Sequence, residues 1–273
     1  MDILEKVMKE GRRRGLRERT IENYCYCIEK FLNYIDKDVK SVSKKDIIDY
    51  LNYLQERKKL SGSSLNVHLN ALKFCFKELL GRRMNLDIRY SRVPRRLPVV
   101  LSKEEVKRLL DSIKNLKHRF MIAFMYSTGL RVSELVNFKV KDLELDKKIG
   151  YVRDGKGGKD RQIIISDKLL DGLKRIVMYS KDRKDYLFLT NRDKQYSPRS
   201  VYMIVKKASK RAKINKKVHP HTLRHSFATH LIHNNYSVGD VQQVMGHNSA
   251  ETTMIYVHCA SKMLDIESPL DSL

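Results

Sequence analysis

The chain is short of acidic residues, of cysteines and of long apolar runs, and each shortage excludes something. None of its 273 residues lies in a run approaching the ~20 apolar residues of a membrane-spanning helix, so no membrane association is expected. The opening stretch, MDILEKVMKEGRRRG, places acidic side chains early and has no apolar centre, unlike a secretory signal. A cytoplasmic protein is the expectation. The four cysteines, Cys25, Cys27, Cys75 and Cys259, form no pair at the spacing of a zinc clasp. They are expected to be free thiols packed as small hydrophobes. No internal repeat or low-complexity tract interrupts the chain.

The acidic shortage is the outlying feature. With 32 Asp and Glu against 56 Lys and Arg, the formal charge is +24, and both the first hundred residues and the remainder are basic. A polyanion is the natural partner, because each lysine or arginine set against a phosphate releases counterions. The 41% hydrophobic content is enough to build packed cores, so wholesale disorder is not expected.

Residues 1 to about 88 read as helices throughout. Ile21, Tyr24, Ile28, Phe31, Leu32 and Ile35 recur at helical spacing behind Thr20, which is expected to cap them. Ser43, with Asp46 three residues on, opens a second helix. After the break at Ser61-Gly62-Ser63-Ser64, a third stripe runs from Leu65 to Leu80. Basic runs (Arg12–Arg14, Arg57–Lys59, Arg82–Arg83) offer this bundle a nucleic-acid-facing surface. Residues 89–98 lie in IRYSRVPRRLP, with two prolines, four arginines and little periodicity, and are expected to be a basic linker.

A second unit, 99–273, opens with the helix-start signal Ser102-Lys103-Glu104-Glu105. A helix over about 118–127 stops at Thr128-Gly129, and another begins near Arg131. The run IGYVRDGKGGKDRQIIIS predicts two short strands around a mobile glycine-rich tip. Helices then continue to the end. The fold class is therefore mainly α with a small β-sheet: an all-helical N-terminal domain followed by an α+β domain.

The segment HPHTLRHSFATHLI, 219–232, carries the most chemistry. Leu223, Phe227 and Leu231 recur every four residues, while His221 and Arg224 share a neighbouring face near the helix start, with His225 beside them. A guanidinium and an imidazole near a helix N-terminus suit an anion. Downstream, Val238 to Met245 read as a short helix stopped by Gly246, with His247 on the turn. Asn248 and Ser249 cap a last helix that runs from Ala250 to about Tyr256 and ends at the phenol.

Five segments, TGLRVSEL (128–135), GKGGKDR (155–161), HPHTLRHSFATHL (219–231), MGH (245–247) and TTMIYVH (252–258), stand in an order that resembles the motif series of the tyrosine recombinases. The Xer-type enzymes of bacteria and archaea are the most similar, and the resemblance extends over essentially the whole chain. It implies a helical core-binding domain, 1–88, and a catalytic domain, 99–273. It also implies that Arg131 and Arg224 are the two catalytic arginines, Lys156 the mobile lysine, His221 and His247 the catalytic histidines, and Tyr256 the nucleophile. Lys159 is a second candidate in the same tip.

The implied activity is site-specific cleavage and rejoining of DNA through an O-(3′-phospho-DNA)-tyrosine, with neither metal nor nucleotide cofactor. The partners would be double-stranded DNA and further copies of the chain, as a homodimer on DNA and a homotetramer in the synapse. The task would be resolution of chromosome or plasmid dimers; integration of a mobile element is the alternative.

Side-chain chemistry fits this reading. Two arginines neutralise the charge that grows on a pentavalent phosphate, and a phenol needs its proton taken before it attacks. His221 is the expected acceptor, with His225 and His230 in structural roles. Two rivals are a metal-dependent nuclease built on His219, His221, His225, His230, His233 and His247, and a non-enzymatic DNA-binding protein. The first lacks a carboxylate at ligand spacing, and the second has no need of Arg131, Arg224 and Tyr256 together.

Overall fold

The computed structural model describes residues 2–81, 87–94, 97–153, 160–180, 182, 185–246 and 250–261. Lys156, Lys159, His247 and the caps expected at Asn248 and Ser249 lie outside them. The chain divides into two compact units, Met1–Arg95 and Arg96–Leu273.

The first unit is all helical: α1 (Ile3–Arg13), α2 (Glu18–Ile35), α3 (Lys44–Glu56) and α4 (Gly62–Lys73), the last running on as a π-helical turn, Phe74–Leu79. Ser43 and Asp46 form the expected reciprocal cap of α3. Thr20 caps nothing. The helix it was expected to start begins two residues earlier, behind Arg17, and includes it. Ser61 is the N-cap of α4, so the serine-glycine break is the start of that helix.

The apolar stripes meet in one core. There Phe31 stands edge-on to Tyr50 and Phe76, at ring distances of 5.1 and 5.8 Å. Cys27 and Cys75 are buried in it, and burial pushes their thiols up to about 11 and about 12.

The segment expected as a basic linker is held at its start by the first unit. Asn66 on α4 takes the backbone of Ser91 on both sides, accepting from its N–H at 2.8 Å and donating to its carbonyl at 3.0 Å. The Tyr90 hydroxyl donates to Asn70 at 2.7 Å, and the Lys73 ammonium sits 4.4 Å from the Tyr90 ring centre.

The second unit contains α5 (Lys103–Asp111), α6 (Leu116–Thr128), α7 (Val132–Asn137), β1 (Leu143–Glu144), β2 (Ile149–Val152), β3 (Arg161–Ile164), α8 (Asp167–Tyr179), α9 (Pro198–Arg211), α10 (Pro220–His233), α11 (Val238–Met245) and α12 (Ala250–Ser261). The strands form an antiparallel sheet in the order β1-β2-β3, with Val152 opposite Arg161 at the neck of the glycine-rich tip. Arg153 and Asp160 close that neck at 2.8 Å. The Ser102–Glu105 cap of α5 is as expected, whereas the two-residue β1 is an addition to the expected pair. Helix α12 does not end at the phenol; it continues to Ser261, which places Tyr256 mid-helix. It packs on α10 and α11, and α10 packs also on α6.

The Asn66 clasp predicts that Asn66→Ala leaves the core intact but frees the segment around Ser91. Hydrogen exchange of the Ser91 amide should then quicken at least tenfold, with a loss of about 1–2 kcal/mol in stability.

Candidate active site

Two helices that end in left-handed glycines shape the site. Gly129 closes α6 with φ +62°, and Gly246 closes α11 with φ +60°. Neither position has room for a Cβ. At Gly129 it would lie 2.4 Å from the Phe227 ring, and at Gly246 2.7 Å from Cδ of Arg161. A helix C-terminus leaves carbonyls unpaired and carries the negative end of the dipole, so both ends attract cations. Arg224, rooted in α10 and only 3% exposed, donates to the carbonyls of Gly129 and Met245. Arg131, at the start of α7, reaches the carbonyl of Gly246 at 3.4 Å.

Glu134 binds this arrangement together. Three residues into the turn that Arg131 opens, it accepts the Arg131 N–H at 2.8 Å and its guanidinium at 2.7 Å. On its other side Arg161 makes a two-pronged pair with the same carboxylate, at 2.9 and 2.7 Å. Arg224 stands 4.0 Å away. Arg161 also donates through Nε to the Val244 carbonyl, which ties the base of the hairpin to α11.

Burial would raise the Glu134 carboxyl, but Arg161 and then Arg131 outweigh it and hold the group at about 2. Burial, and then Arg131, pull Arg224 down to about 9 against the opposing pull of Glu134, so it stays protonated at neutral pH. One carboxylate against three guanidinium groups leaves an excess of two positive charges. Arg131, with 18% of its side chain exposed, lines a groove of about 1220 Å³ that opens between β2–β3 and α11.

Tyr256 is brought to this cluster from α12. Its ring packs with Ala228, Val241 and Met245 and is 3% exposed. Burial pushes its phenol up, while Arg224 and Arg131 pull it back, so the hydroxyl lies within their field. The oxygen stands 3.0 Å from Nδ1 of His225, one turn along α10 from His221. His221 itself is exposed at the helix start. Desolvation by the surrounding protein, then Arg224, His219 and Arg131, lower its imidazole. His230 is buried and pairs through Nδ1 with the Tyr126 hydroxyl at 2.8 Å.

The structure thus gathers Arg131, Arg224, His221 and Tyr256 within one unit. Sequence reasoning missed Glu134 and Arg161; it gave His225 a structural role, and the partner that role meets is the Tyr256 hydroxyl. A signal for Glu134 was present, because a carboxylate three residues after a helix-opening residue has capping-box spacing. Among the described residues no three His, Cys, Asp or Glu side chains are placed to hold a metal, and no helix is long and apolar enough to cross a membrane.

Comparison with known proteins fits this architecture. The second unit matches the model described as phage integrase family over residues 99–263, and the first matches the phage integrase N-terminal SAM-like domain over 3–86. The chain belongs to the phage integrase family, the tyrosine recombinases. Its type within that family is Xer. It is 37% identical over 267 residues to the tyrosine recombinase XerA of Pyrococcus horikoshii, covering 96% of this chain and 91% of the relative. A crystal structure of XerA recombinase aligns with a TM-score of 0.55 at 30% identity, covering 96% and 95% of the two chains. The XerH site-specific recombinase bound to its difH substrate in a pre-cleavage complex aligns at 0.71 with 26% identity, over 93% and 79%.

Replacing Glu134 by Gln removes the carboxylate that bridges these three arginines, and should lower stability at pH 7 by about 3–5 kcal/mol. Because the folded pKa lies below the ordinary 4.5, the Glu134 contribution is complete above that value and fades as pH falls toward about 2. Denaturant unfolding of both proteins should therefore show a gap that is wide at pH 7 and narrow near pH 3.

Proposed function

We propose that the chain is a site-specific recombinase that cuts and rejoins double-stranded DNA, with Tyr256 forming a 3′-phosphotyrosine intermediate. The observation that carries this reading is the packing of α12 on α10, which sets the Tyr256 hydroxyl 3.0 Å from His225, the residue next to Arg224, while Glu134 ties Arg131 and Arg161 beside Arg224. The scissile phosphate would be drawn to the cluster of Arg131, Arg161 and Arg224 around Glu134. Arg131 and Arg224 would neutralise its non-bridging oxygens as the pentavalent state forms. Tyr256 would attack phosphorus, and the 5′-oxygen would leave with a proton from Lys156. His221 and His247 would add hydrogen bonds to the phosphate. The phosphotyrosine keeps the energy of the broken bond, so the reverse attack by a 5′-hydroxyl rejoins the strand without ATP.

The Xer type supports resolution of chromosome or plasmid dimers, a task performed on cytoplasmic DNA. Each copy carries one nucleophile, and exchange between two duplexes breaks four strands. A dimer on each duplex and a tetramer in the synapse follow from that count. The basic helical unit, 1–88, and the basic linker, 89–98, would add phosphate contacts to those of the catalytic unit, 99–273.

The test is covalent capture. The full chain is incubated with nicked fragments of its host's genomic DNA and quenched in denaturant, and the DNA left attached to protein is sequenced. Attachment should centre on one preferred site, persist in EDTA and vanish in Tyr256→Phe. In Arg224→Ala the adduct should form about 10²- to 10³-fold more slowly. Attachment that survives in Tyr256→Phe, or activity abolished by EDTA, would reject the reading.

A further inference from the structure

The phenol proton has to go somewhere, and the ring arrangement on α10 indicates where. Along that helix His219, His221 and His225 follow one another with ring centres 6.3 and 6.2 Å apart, and the Tyr256 ring lies 5.7 Å beyond His225. His221 is the exposed member, His225 the half-buried one, and Tyr256 the buried end of the row. The only ring of the three in described contact with the phenol is that of His225, whose Nδ1 is 3.0 Å from the hydroxyl oxygen.

We infer that His225, rather than His221, is the general base that takes the proton from Tyr256 during cleavage and returns it during rejoining. The inference rests on the reading of Tyr256 as the nucleophile. His225 qualifies on distance, because 3.0 Å is within hydrogen-bond reach of the proton it would remove. It also qualifies on state. Burial foremost, then His221, His219 and Arg224 on its own helix, depress its imidazole to about 4, so it is neutral and able to accept at working pH. With the proton on Nε2, the lone pair of Nδ1 faces the phenol.

From α12 the facing groups are Tyr256 itself and, beyond it, Cys259; Arg131 bears on the phenol from the start of α7. A buried imidazole is a weak base before DNA arrives. It gains strength once the phosphate lies beside it, because an anion favours the imidazolium.

The step balances. The O–H bond of Tyr256 breaks and its proton moves to Nδ1, while the phenolic oxygen bonds to phosphorus. The bond from phosphorus to the 5′-oxygen breaks, and that oxygen takes a proton from Lys156. In rejoining, the attacking 5′-hydroxyl returns its proton to the Lys156 amine as it bonds to phosphorus, and the imidazolium gives its proton back to the departing phenolic oxygen. His221, one turn nearer solvent, is left free to bind the phosphate.

The experiment combines His225→Asn with a fluorinated tyrosine of more acidic phenol placed at position 256 of the full chain. The probe is a nicked duplex carrying the site found by covalent capture. Single-turnover adduct formation is read beside DNA affinity, which serves as the check that each variant folds. His225→Asn should slow cleavage by about 10²- to 10⁴-fold with DNA affinity unchanged. The acidic phenol should restore most of that loss, because a phenol already prone to ionise needs little help. It should restore little of the loss in a His221→Asn control.

Unchanged or faster cleavage in His225→Asn would overturn the inference and make the contact a storage position for the tyrosine. A loss that the acidic phenol does not repair would overturn it as well, in favour of packing. Failure of the underlying reading looks different, since Tyr256→Phe would then still form the adduct.

Discussion

Guanidinium groups shielded from water repel one another, and the second unit brings three of them within reach of a single carboxylate. Glu134 offsets that repulsion, and its geometry dictates much of what surrounds it. It fixes Arg131 by closing the first turn of α7, Arg161 by a two-pronged pair, and it stands near enough to Arg224 to keep that buried cation protonated. The carbonyls of two helix ends also accept from Arg224, and α6 and α11 both stop in a left-handed glycine where a Cβ would meet Phe227 or Arg161. Pre-positioned cations of this kind do not have to reorganise when charge develops on a phosphate, and that is where electrostatic catalysis has its advantage over water.

Arg161 extends the same constraint outward. It is the first residue of β3, directly after the glycine-rich tip, and its aliphatic stem fills the space where Gly246 lacks a side chain. The hairpin base, the end of α11 and the carboxylate are therefore parts of one packed joint. Displacing any of them shifts the other two.

Helix boundaries and core stripes could be read from the sequence wherever the cue was local. The Ser43–Asp46 and Ser102–Glu105 caps, the glycine stops at 129 and 246, and the strand pair around the hairpin are all decided by residues within four positions. Thr20 misled because the packing of α2 carries the helix two residues past a plausible cap. The family resemblance supplied Arg131, Arg224, His221 and Tyr256 as candidates. The contacts around them were not legible. That Glu134 meets Arg161, 27 residues on, or that Asn66 grips Ser91, 25 residues on, depends on tertiary placement, for which sequence spacing carries no signal. The same holds for His225: helical periodicity placed it beside His221 and Arg224, but only the packing of α12 on α10 decides which imidazole meets the phenol.

The gathering of three guanidinium groups around one carboxylate has a consequence for the protein's stability. Like charges held this close repel one another, so the arrangement is maintained at the expense of thermal robustness. Simple oxyanions that reach the cluster should relieve the repulsion without any DNA present, much as a ligand stabilises the state it binds. The fold tolerates this internal repulsion because Glu134 and the carbonyls of two helix ends offset part of it.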